Sequence, residues 1–175
     1  MFDTNRSWLK IECDKTDQLI EALTLISFVF SFAFIGYYYS ELPDRVPAHF
    51  GLDGEVKRYD EKSMIWLIPM LLSAICFGVY KLNKHPYLYN YTVKITPENA
   101  KNHYKDASKI IRYINFCIAL MCAVITYEIV NIALKNTNSF SLFSNYFLIL
   151  SISFLTLTPI VMVIKTIVKT TKSTS

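Results

Sequence analysis

Few side chains in this chain stand where their type and spacing suggest chemistry. Glu128 is the one formal charge inside a 22-residue stretch running from Arg112 to Lys135. An acid within an apolar segment is costly, so it is expected to face a protein partner or a water-filled path. Asn131, about one helical turn on, shares its face. His49 stands near Asp44, Asp53 and Glu55. It is open to three readings: a hydrogen-bonded structural residue, a pH-sensitive or partner-binding group, or a lone imidazole ligand among carboxylates. No second histidine is close by in sequence, so no metal site and no cofactor is expected. Cys76, Cys117 and Cys122 lie in apolar stretches and Cys13 in a polar flank, with no C-x-x-C pair, which speaks against a zinc or dithiol centre. Nucleophile-elbow, H-E-x-x-H, Walker and dinucleotide patterns are absent, so no catalytic residue is assigned and a non-enzymatic role is expected.

The elements that must carry these groups are hydrophobic. Of 175 residues 53% are hydrophobic and 18% charged, and the charges are excluded from long tracts. Nineteen residues between Glu21 and Glu41, 18 between Lys62 and Lys81, and 29 between Lys135 and Lys165 contain no Asp, Glu, Lys or Arg. With the Glu128 stretch, each of these is long enough to cross a hydrocarbon core of about 30 Å. The expected fold is therefore an all-α membrane protein, a four-span helix bundle forming a single domain over residues 1–175. Its spans are expected at about 19–39, 63–80, 113–134 and 145–164. The first tract outruns a signal-peptide core and ends in Tyr37-Tyr38-Tyr39, so it is read as a retained span. Pro69 and Pro159 are expected to bend spans two and four.

Orientation follows from Lys and Arg. Thirteen lie in the termini and second connection, against five in the first and third connections. Both termini are therefore expected in the cytoplasm. The net charge of +4 reflects this bias and gives no reason to expect nucleic acid. Thr96-Pro97-Glu98 reads as a helix start, followed by Ala100, Tyr104, Ala107 and Ile111 at helical spacing. This predicts a cytoplasmic amphipathic helix that extends span three and either rests on anionic lipid or is simply solvated. Small-residue pairs Ser27/Ser31, Ala74/Gly78 and Ala119/Ala123 favour close helix packing.

The first connection is expected to be ordered, and to face outward. Pro43 and Pro47 hold it extended, while Gly51 and Asp53-Gly54 are turn residues. Segments 46–50 and 55–59 can pair as a short β-hairpin, and Asp60 or Ser63 can cap span two. Arg45 and Lys62 flank this loop, where they could pair with Glu128 or an anionic ligand.

Leu42, Pro43, Arg45, Pro47, His49, Phe50, Gly54 and Lys62, then Pro69, together resemble an uncharacterised bacterial membrane domain, the domain of unknown function family numbered 1648. It also occurs in SdpI-type toxin-immunity proteins. Asn90–Ala100 is similar to the segment before span three in such proteins. The resemblance implies a multi-pass protein of the bacterial cell membrane. Toxin immunity, or signalling and binding through the outer loop, is one implied role. SdpI-type members carry further spans, where four are expected here. Candidate partners are the bilayer itself, a secreted peptide toxin, a lipid or another membrane protein. A small transporter or transporter subunit with a polar path at Glu128 is the alternative. Oligomeric state is left open.

Overall fold

The computed structural model describes Leu9 and residues 11–174, with side chains through 158 and at 160, 161 and 164. Arg6 and Lys10 of the orientation count lie outside the described residues, as do the side chains of Pro159, Lys165, Lys169 and Lys172. Four helices dominate: α1 (Lys15–Tyr38), α2 (Leu67–Leu82), α3 (Pro97–Lys135) and α4 (Leu142–Thr174). Strands β1 (Arg45–Phe50) and β2 (Val56–Glu61) lie between α1 and α2. Counting the 3₁₀ turn Lys62–Trp66 with α2, three helices among the described residues are long and apolar enough to cross a membrane: Lys15–Tyr38, Lys62–Leu82 and Pro97–Lys135. In α4 the apolar stretch Leu142–Thr158 is shorter.

Helix α3 is the axis of the assembly, in contact with each of the other three helices. Its start matches the expected cap: the Asn99 Oδ1 accepts the Thr96 N–H at 2.9 Å, and Pro97 follows where no intrahelical donor is needed. It ends at Asn136, whose left-handed φ of 52° stops the helix, with the Asn136 and Thr137 N–H groups returning to the Ile132 carbonyl. At 1.5 Å per residue this helix is about 58 Å long, roughly twice a hydrocarbon core. Its first turns therefore lie beyond any span.

The buried stripe of that first half is more polar than the spacing of apolar residues implies. Ala100 and Tyr104 are buried as expected, but the line continues through Ser108, Arg112 and Asn115. Ala107 and Ile111 are only half-buried. Helix α1 packs parallel to α3: Ser27 and Ser31 are buried, as are Ala119 and Ala123, and the small side chains let the backbones approach. The third small pair behaves otherwise. Ala74 and Gly78 of α2 are exposed, and a Cβ added at Gly78 would touch nothing.

Pro69 stands at the start of α2 and not in its interior. It is the third residue of α2, after the 3₁₀ turn, where the first N–H groups have no intrahelical acceptor in any case. Neither Asp60 nor Ser63 caps this element: the N-cap is Glu61 without a side-chain bond, and the Lys62 N–H is taken by the Asp44 carbonyl.

Candidate functional site

The hairpin forms as the turn residues imply. Strands β1 and β2 are antiparallel, Arg45 facing Glu61 and Phe50 facing Val56, with the register interrupted around His49. The irregularity follows Pro47, which has no N–H to give a ladder. At the turn the Gly51 N–H donates to the Glu55 carbonyl, and Gly54 adopts φ 78°, a conformation that favours glycine. Asp53 accepts the Glu55 N–H at 3.0 Å and the Lys57 ammonium at 3.3 Å, and these hold its carboxyl below the usual 3.8. The Lys57 ammonium, bonded to Glu55 and Asp53, is raised in turn.

Three sets of contacts fix this hairpin to the bundle. Leu42, Val46 and Ile65 pack with Ile35 of α1 and Ile129 and Val130 of α3 in one buried cluster. The α3–α4 connection adds a third extended segment: the Val56 N–H donates to Asn138, the Phe140 N–H to Gly54, and the Phe50 and Phe140 rings stack with centroids 4.2 Å apart. Lys62 Nζ donates to the Tyr39 and Leu42 carbonyls at 3.3 Å and stands over the Tyr39 ring, so its charge closes the C-terminal end of α1. Leu52, at the tip, is 93% exposed.

The remaining loop residues are dispersed by role. Arg45 Nη2 donates to the Tyr59 carbonyl at 2.8 Å, across the hairpin. Pro47 is buried, whereas Pro43 and His49 are exposed. Among the described residues no three His, Cys, Asp or Glu side chains come together as a metal cage.

Glu128 is buried at the hairpin end of α3, 4% exposed. The expected cation is not its partner, and neither Arg45 nor Lys62 reaches it. Its carboxylate instead accepts the Ser141 hydroxyl at 2.6 Å and the Ser141 N–H at 3.3 Å. Ser141 immediately precedes α4 and its Oγ accepts the Ser144 N–H at 3.2 Å, so the acid sits at the positive end of that helix. Asn131 turns back on its own helix, donating to the Tyr127 carbonyl.

Sequence reasoning passed over a charged cluster at the opposite end. Arg112 is buried between α3 and α1, its Nε 2.8 Å from Glu21 Oε1 and its Nη1 3.6 Å from Asp17 Oδ2. Its Nη2 lies 2.9 Å from the Cys13 sulfur, and Lys109 pairs with Asp14 at 3.1 Å. Asp14 is also the N-cap of α1, accepting the Asp17 N–H while Asp17 accepts the Asp14 N–H. The Asp17 N–H, and then Lys109, hold the Asp14 carboxyl below 3.8. The available signal was the spacing Asp17/Glu21 against Lys105/Lys109/Arg112, two helical faces of opposite charge.

Three apolar helices of spanning length, joined through an ordered hairpin, define a multi-pass membrane protein. Residues 26–72, from mid-α1 through the hairpin into α2, match the family model described as Domain of unknown function (DUF1648), and this segment is a member of that domain family. No curated protein and no solved structure matches the chain.

Proposed function

We propose that this is a four-span, non-enzymatic protein of the bacterial cell membrane, termini in the cytoplasm, that binds a secreted cationic peptide on its outer hairpin. The observation that carries the reading is the anchoring of the hairpin by β1, β2 and the 138–140 segment at once. A plain connector has no need of such fixing, and fixed loops present groups to partners. Residues 41–62 hold six acids against four bases, a surplus that complements a cationic ligand. Exposed Leu52 offers an apolar contact at the tip.

The fourth span is supported by α4, a helix of 33 residues with an apolar start that packs on α3. Toxin immunity fits this reading as peptide sequestration at the outer face. The transporter alternative is less favoured, because the Glu128 carboxylate is engaged in holding the start of α4.

Binding of a synthetic Lys/Leu amphipathic peptide to the protein in neutral-lipid nanodiscs tests the proposal. Saturable binding should weaken about tenfold or more when Pro47–Tyr59 is replaced by a Gly/Ser linker. Equal binding to both proteins, or to empty discs, would reduce the hairpin to a connector.

A further inference from the structure

The face of the bundle between α1 and α2 is open. A groove of about 780 Å³ runs there, within the ~300–1,000 Å³ range of ligand sites. Phe28 and Phe32 of α1 and Ala74 and Phe77 of α2 are among its walls, and the Glu21, Arg112 and Asn115 side chains close the end away from the hairpin. From Glu21 to Phe32 the groove follows eleven residue-to-residue steps of α1, about 17 Å at 1.5 Å each. Half of a ~30 Å hydrocarbon core is about 15 Å, so the groove is one leaflet deep.

Its polar end is not self-satisfied. Asn115 is 93% buried, its Nδ2 donates to the Cys76 carbonyl at 3.0 Å, and its Oδ1 has no hydrogen-bond partner among the described residues. Asp14, Asp17 and Glu21 face Lys105, Lys109 and Arg112 one for one, and Asp17 Oδ1 is a second buried acceptor without a donor among the described residues. Buried acceptors without donors are expensive, and a ligand supplying N–H groups would relieve them.

We infer that the groove holds one phospholipid of the leaflet on the Arg112 side, with an acyl chain along Phe28–Phe32 and a primary-ammonium headgroup at Glu21 and Asn115. The lipid phosphate lies beside the Arg112 guanidinium, which has N–H donors left after its contacts with Glu21, Asp17 and Cys13. The ammonium donates to Glu21 and to the Asn115 Oδ1. This chemistry selects phosphatidylethanolamine. Phosphatidylcholine has no N–H to give, and phosphatidylglycerol has no cation to set against Glu21. The site is separate from the outer hairpin and stands whether or not that hairpin binds a peptide.

Native mass spectrometry of the delipidated full-length protein, mixed with equimolar dioleoyl phosphatidylethanolamine, phosphatidylcholine and phosphatidylglycerol, reads this directly. One phosphatidylethanolamine per chain should be retained in about tenfold excess over either competitor. Glu21→Gln should bring the ratios towards one. Ala74→Trp should fill the groove and abolish retention, while Leu71→Trp, exposed outside the groove, should leave it unchanged. The headgroup competition requires no variant. Equal retention of phosphatidylglycerol by the wild type, or undiminished retention by a folded Ala74→Trp protein, would overturn the assignment.

Discussion

Replacing Arg112 with leucine should be among the most damaging single changes away from the hydrophobic clusters. The guanidinium bridges α1 and α3, with side-chain exposures of 8% for Arg112 and 2% for Asp17. Its loss strands the Asp17 carboxylate in a site from which water is excluded. Breaking a buried pair by removing one partner costs about 3–5 kcal/mol, and we place this variant at ~3, since Glu21 is 28% exposed and can hydrate. Glu21→Gln, at the wetter end, should cost about 1 kcal/mol or less. Asp17→Asn keeps an acceptor for the Asp14 N–H while removing the charge, so Arg112→Leu combined with Asp17→Asn should recover about 1–2 kcal/mol. Reversible unfolding in mixed SDS micelles, followed by circular dichroism, gives all four values. Strict additivity, or an Arg112→Leu protein within about 0.5 kcal/mol of wild type, would refute the buried-bridge account.

Other outcomes follow from the same geometry. Glu128→Gln keeps acceptors for Ser141 and should lose only about 0.3–1 kcal/mol, whereas Glu128→Leu leaves the Ser141 donors unpaired and should lose ~1–3 kcal/mol by the same unfolding assay. Gly54→Ala should cost about 1–2 kcal/mol, because φ is 78° and the new methyl would crowd Asn145 and Phe140 at 3.1–3.2 Å. Asp14, whose carboxyl is depressed, stabilises the α1 cap above its ordinary pKa of 3.8, and that contribution is lost as pH falls through its lowered value. An NMR titration should therefore place its midpoint below 3.8, and Lys109→Met should move it upward.

Three of the spans, those in α1, α2 and α3, could be located from sequence because exclusion of charge over about 20 residues leaves few alternatives to a membrane. The hairpin was legible too: Pro43, Pro47, Gly51 and Gly54 each restrict the backbone locally, and the strands fall within a residue or two of the expected segments. What depends on long-range pairing was not. Arg112 finds Glu21 across 91 residues, and read alone it is only a boundary charge. Glu128 was expected to need a cation, yet a serine hydroxyl and peptide N–H at the start of α4 serve instead. A helix start acts as a partial positive charge that no residue-by-residue reading of charge reveals. The position of Pro69 was hidden for a related reason: the 3₁₀ turn before α2 places the proline in the first turn of that helix.

The proposal stands on the hairpin facing outward with the termini in the cytoplasm, and cysteine labelling in intact cells measures that directly. Leu52→Cys places a thiol at the 93% exposed tip, while native Cys13 lies beside Arg112 at the other end of the bundle. A membrane-impermeant maleimide should label Leu52→Cys in intact cells, and should reach Cys13 only after the membrane is opened. Labelling of Cys13 but not of residue 52 in intact cells would contradict the orientation and with it the outward-facing binding platform.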